Sequence, residues 1–201
     1  MSNQNTPLVP SRPQRQKGRR AALIGGLTLA GAAALSLGAG AYDVGVTAPH
    51  SKPTEWALRH GMELSVRNQA RDVKIPSGVD LRDRALAERA IGHYSVACAQ
   101  CHGAPGHPAA PWMVLYPAPA DLTEAETVSR WTDAELFWII ENGIKDTGMI
   151  ALGPTHQAQD IWAVTAFVRQ LPAMDPGHYH ELVTRYQAQR AQMAPTSAHS
   201  H

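Results

Sequence analysis

Cys98-Ala99-Gln100-Cys101-His102 is the stretch on which the reading of this chain turns, and it holds both of the chain's cysteines. Cys-x-x-Cys-His is the pattern of c-type haem attachment. Two thiols three positions apart match the two vinyl groups on one haem edge, and the histidine directly after them is placed for the proximal side of the iron. The rival readings find little support around it. A thioredoxin-like dithiol calls for a strand, helix, strand surround with the reactive thiol at a helix start, whereas these cysteines follow a helical run. A structural zinc site needs four ligands, and no other cysteine exists to supply one. A local Cys98 to Cys101 disulfide is the remaining plain alternative.

A haem iron that carries electrons takes a sixth ligand, and Met/His ligation raises its reduction potential. Met113 follows the motif closely within a proline-rich stretch, Met174 follows the Leu171-Pro172 stop of the last apolar helix, and Met193 is in a polar tail. Met149 remains, in the glycine-bounded loop Gly143-Ile144-Lys145-Asp146-Thr147-Gly148-Met149 between two apolar helical segments. A lone methionine is most often a core filler; the haem motif upstream favours Met149 as the distal ligand.

These residues resemble the class I c-type cytochromes, and more closely the membrane-anchored single-haem cytochromes of bacterial periplasms. The resemblance runs roughly from Val79 to Pro172. It implies a helix with an aromatic four residues before the first cysteine, here Tyr94, and an Asn-Gly-x-x-x-Thr-Gly-Met segment supplying the distal methionine, here Asn142 to Met149. Ile150 departs from the proline that many relatives carry after the methionine. The resemblance also implies one covalent haem c held by Cys98 and Cys101, with His102 and Met149 as axial ligands. It further implies a crossing of the first and last helices at Ala90 and Phe167, and a proline carbonyl from Pro108, Pro111 or Pro117 that accepts the ring N–H of His102.

Local patterning predicts an all-α fold: a small cytochrome c-like helical domain around one covalent haem, preceded by one N-terminal transmembrane helix. The haem-bearing stretch is short for a self-sufficient apolar core, and the haem would supply much of it. Leu86, Ala90, Ile91, Tyr94 and Ala97 form an apolar stripe at helical spacing. A second helix opens at the capping-box pattern Thr132 to Glu135 and stops at Asn142-Gly143; its run Leu136 to Ile140 leaves little polar face. A third spans about Asp160 to Leu171, with Ile161, Val164, Val168 and Leu171 on one side.

Before Ala21 the chain carries Arg12, Arg15, Lys17, Arg19 and Arg20, and its first acidic residue is Asp43. From Ala21 to Ala41 about twenty-one residues are uncharged and mostly apolar, enough at ~1.5 Å per residue to cross a ~30 Å hydrocarbon layer. The basic flank is expected to stay in the cytoplasm, placing the residues C-terminal to the apolar run in the periplasm. The run exceeds a usual signal-peptide core, which favours an uncleaved anchor; cleavage near Ala41, at Ala39-Gly40-Ala41, is the alternative and would leave a soluble periplasmic protein. Arg19-Arg20 reads as a positive flank and not as a twin-arginine signal.

The expected organisation is therefore a cytoplasmic basic segment (1–20), an anchor (21–41), a spacer with a short amphipathic helix carrying Trp56, Leu58, Met62 and Val66 (42–78), the cytochrome domain (79–174) and a polar tail (175–201). His178, His180, His199 and His201 of the tail read as solvated. Five of the 18 Lys and Arg residues precede Ala21, leaving 13 against 17 Asp and Glu, a formal charge of −4. Nothing clusters basic residues as a nucleic-acid surface would. A mildly acidic carrier is steered toward basic patches on redox partners of a respiratory or dehydrogenase chain. The expected function is single-electron transfer and not catalysis. The alternatives are a haem enzyme or gas sensor with an open distal site, or an electron-input subunit of a larger dehydrogenase or oxidase complex.

Overall fold

In the computed structural model, residues 12–193 are described, with side chains from Gly18 onward. His199 and His201 lie outside the described residues, as do residues 1–11 of the basic segment. The chain divides into two units, Met1–Ala48 and Pro49–His201.

The first unit is built on α1, Arg12–Gly38. Among the described residues, its stretch Gly18–Gly38 is the one helix long and apolar enough to cross a membrane. Its leucines stand outward into the surroundings, Leu27, Leu29 and Leu35 among them, as a helix solvated by lipid would have them. The helix ends three residues earlier than the run to Ala41 suggests, because Gly40 turns the chain at φ 68°.

In the second unit the described residues form helices and loops, with one isolated bridge between Ala104 and His107. Its first helix, α2 (Lys52–Gln69), starts where the Ser51 hydroxyl accepts from the Thr54 N–H. The expected amphipathic set on α2 is not buried alike: Val66 is buried and Met62 half-buried, while Trp56 and Leu58, nearer the start of the helix, are exposed. The inward side of α2 packs on α7 (Asp133–Asn142).

The single helix expected around Tyr94 is divided. Its parts are α3 (Arg84–Glu88), α4 (Ile91–His93), a wide π turn over Tyr94–Cys98 and α5 (Ala99–His102). In the π turn the Ala99 N–H reaches back five residues to the Tyr94 carbonyl. Such a turn inserts one residue and changes the side-chain phase, a local device frequent at functional sites. Tyr94 thereby enters the core, where its ring lies 5.0 Å from that of Phe167 and its hydroxyl donates to the Gly103 carbonyl at 2.6 Å. Burial pushes the phenol pKa well up, with a smaller contribution from Cys98.

After α6 (Ala125–Ser129), α7 opens with the capping box expected from sequence: Thr132 Oγ accepts from the Glu135 N–H and the Glu135 carboxylate accepts from the Thr132 N–H. Helix α8 (Ala158–Gln170) is buried over the continuous run Ile161–Val168 and not on one face alone. It lies against α3 and α7, with Trp162 stacked on Phe137 at 4.2 Å. Ala90 and Phe167 are both buried in this core.

The tail from Asp175 is not merely polar. It contains α9 (Pro176–Met193), which puts Tyr179 and Leu182 into the core and packs on α4. A Cβ at Gly92 would stand 2.5 Å from the Tyr186 ring, so the absence of a side chain on α4 admits α9. Segments set apart from the cytochrome domain by sequence thus contribute Val66, Tyr179 and Leu182 to the buried interior of the second unit.

Candidate haem-binding site

One cavity of about 370 Å³ gathers Cys98, Cys101, His102 and Met149 on its wall. Aliphatic side chains complete most of the lining, Leu136, Ile139 and Ile140 from α7 and Val164 and Val168 from α8 among them. A flat apolar macrocycle gains from such a wall by leaving water. The chemistry of the donor set fits a haem: two thiols, one imidazole and two thioethers line a single, mainly apolar space.

Cys98 and Cys101 stand as free thiols, each partly buried. Burial pushes the Cys98 thiol up to about 11, and the neighbouring Cys101 adds to this. Their spacing of three falls across the junction of the π turn with α5. Gly103 then ends α5 at φ 70°, with its N–H donating to the Ala99 carbonyl.

The His102 ring is oriented by the loop between α5 and α6. Its Nδ1 lies 2.7 Å from the Ala120 carbonyl oxygen, and the Leu122 N–H donates to the His102 carbonyl at 3.1 Å. The acceptor is therefore Ala120, and none of Pro108, Pro111 or Pro117. A carbonyl oxygen only accepts, so Nδ1 carries the proton and Nε2 keeps its lone pair for a metal.

The Met149 loop is tied to the end of α7. The Thr147 hydroxyl donates to the Ile144 carbonyl at 2.7 Å and accepts from the Met149 N–H at 3.1 Å. Leu152 and Gly153 N–H groups return to the Ile140 and Glu141 carbonyls. Gly143 has φ 66°, and a Cβ there would approach the Met149 carbonyl oxygen to 2.6 Å.

Met62, on α2, also lines the cavity, whereas Met113, Met174 and Met193 do not. A sequence argument confined to methionines downstream of the motif misses it. The same argument misses Arg169, whose guanidinium donates to Asp133 and to the Val128 and Trp131 carbonyls. This fork joins α8 to the turn between α6 and α7. Among the described residues no group of three or more His, Cys, Asp or Glu side chains is placed to hold a metal.

A helical unit that presents Cys-x-x-Cys-His beside a thioether in one apolar cavity has the make-up of a c-type cytochrome domain. Residues 85–168 match the family model described as cytochrome C oxidase, cbb3-type, subunit III, and they form a c-type cytochrome domain. No curated protein and no solved structure matches the chain. A domain of this class binds haem c and its iron and serves electron transfer. The matched residues begin within α3 and end near the end of α8, so α2 and α9 lie outside them.

Proposed function

We propose that the chain is a single-haem electron carrier held by α1 in a cytoplasmic membrane, with the cytochrome unit in the periplasm. Cys98 and Cys101 tether the haem, His102 Nε2 binds iron on the proximal side and Met149 on the distal side. The carrying observation is that Met149, remote in sequence, lines the same cavity as Cys98, Cys101 and His102 of the motif. The haem supplies the Fe(III)/Fe(II) couple. The chain keeps the proximal tautomer fixed through Ala120, holds the distal loop through Thr147 and excludes water with α7 and α8. A site that binds the same two ligands in both oxidation states needs little rearrangement on electron transfer. The chain catalyses no reaction of its own in this reading, and it exchanges electrons with redox proteins of a respiratory or dehydrogenase chain. Its basic N-terminal flank and the span Gly18–Gly38 support retention in the membrane with the cytochrome unit outside the cytoplasm.

The mass of the mature protein tests this reading. It should exceed the chain mass by one haem, acid-acetone should not extract that haem, and the intact chain should stay with membranes through a salt wash. Haem that comes away freely contradicts the covalent assignment; a soluble protein beginning near Tyr42 contradicts the anchor.

A further inference from the structure

The α2 side chains at the cavity are not used by the haem tether or by its axial ligands, and α2 precedes the matched residues 85–168. The charged side chains on the cavity wall are Arg59 and Glu63 of α2 and Arg130, which follows α6. Arg59 and Glu63 are one helical turn apart and so share a side of α2. Arg130 and Glu63 are paired at 3.8 Å, with Glu63 the less exposed partner at 20% against 50%. Two guanidinium groups against one carboxylate leave one positive charge in excess at this sector. The rest of the cavity is mainly aliphatic and offers no other cation.

A haem is apolar except for its two carboxylates. Those carboxylates gain most where guanidinium groups face them, since the planar fork of arginine matches a carboxylate in two hydrogen bonds. Resting on the haem reading above, we propose that Arg59 and Arg130 receive the haem carboxylates, and that α2 thereby tunes the reduction potential of the site. Glu63 holds Arg130 at the cavity and offsets part of its charge. Positive charge beside the macrocycle favours Fe(II), the less positive iron state. The same charge favours the ionised form of the carboxylates, lowering the pH at which they lose their protons.

The test uses the full-length, haem-bearing protein with Arg59→Gln, Arg130→Gln, Arg59→Lys and Glu63→Gln, each titrated by spectroelectrochemistry across a pH series at fixed ionic strength. Each Arg→Gln change should move the Fe(III)/Fe(II) equilibrium about three- to tenfold toward Fe(III), a tenfold change being 59 mV for one electron. In these variants the fall of potential with rising pH should begin at higher pH than in the wild type. Arg59→Lys should retain most of the wild-type potential, and Glu63→Gln should raise it. Both arginines are exposed at the cavity rim, so these changes leave the core intact. Arg→Gln potentials and pH profiles that superpose on the wild type, with covalent haem and its spectrum unchanged, overturn the proposal alone. A wild type without covalent haem overturns both this proposal and the functional reading beneath it.

Discussion

His102 Nδ1 lies 2.7 Å from the carbonyl oxygen of Ala120, eighteen residues along the chain. This contact decides which ring nitrogen is free for iron, and it ties the motif helix to the loop between α5 and α6. In the reduced haem-bearing protein, the Nδ1 proton of His102 should exchange into deuterated water far more slowly than that of a free imidazole. Nuclear magnetic resonance reads this directly. Loss of the proton within the dead time would mean that the bond is not made.

Gly143 should tolerate no side chain. Its φ of 66° disfavours one, and a Cβ would press on the Met149 carbonyl. Gly143→Ala should lower unfolding free energy by about 1–3 kcal/mol and, in the haem-bearing protein, weaken thioether ligation. Chemical denaturation measures the first effect and the far-red absorption of the oxidised protein the second. Unchanged stability and spectrum would show that the loop adjusts freely.

Arg169 satisfies two backbone carbonyls as well as Asp133. Arg169→Met should destabilise the unit by about 2–4 kcal/mol, because both carbonyls lose a charged donor at a half-buried position. Arg169→Lys should recover only part of this, since one ammonium group lacks the three-way fork. Denaturant midpoints for the two variants provide the comparison. Equal stability of the lysine variant and the wild type would contradict the fork.

Gly92 and Tyr186 should be coupled. Gly92→Ala sets a methyl against the Tyr186 ring and should cost about 1–3 kcal/mol, as overpacking does. In the background of Tyr186→Ala the same change should cost little. Additive effects in this double-mutant cycle would mean that α9 does not depend on the close approach at Gly92.

The local features were legible in sequence because a few neighbouring residues specify them. The Thr132 to Glu135 cap and the Gly143 stop belong to this kind, as does the haem motif itself. The α9 core contacts had a signal too: Tyr179, Leu182, Val183 and Tyr186 recur at helical spacing within an otherwise polar stretch. The full burial of α8 was not legible, since it comes from the packing of both α3 and α7 on this helix, a tertiary arrangement that the periodicity of α8 does not contain. Nor was the acceptor for His102, because a backbone carbonyl carries no residue-type mark. Met62 reaches the cavity only through the packing of α2 on α7, an arrangement that periodicity within α2 does not contain.

Distal ligation is the point on which an electron carrier separates from a haem enzyme or gas sensor. Two methionines line the cavity, Met149 and Met62, so the decisive measurement compares the visible and far-red spectra of wild type, Met149→Ala and Met62→Ala, each with and without carbon monoxide. The wild type and Met62→Ala should show the weak far-red band of a thioether bound to low-spin Fe(III) and should resist carbon monoxide. Met149→Ala should lose the band, bind carbon monoxide readily and keep its covalent haem. A wild type that lacks the band and binds carbon monoxide rapidly, or a band that disappears with Met62 instead, would contradict ligation by Met149.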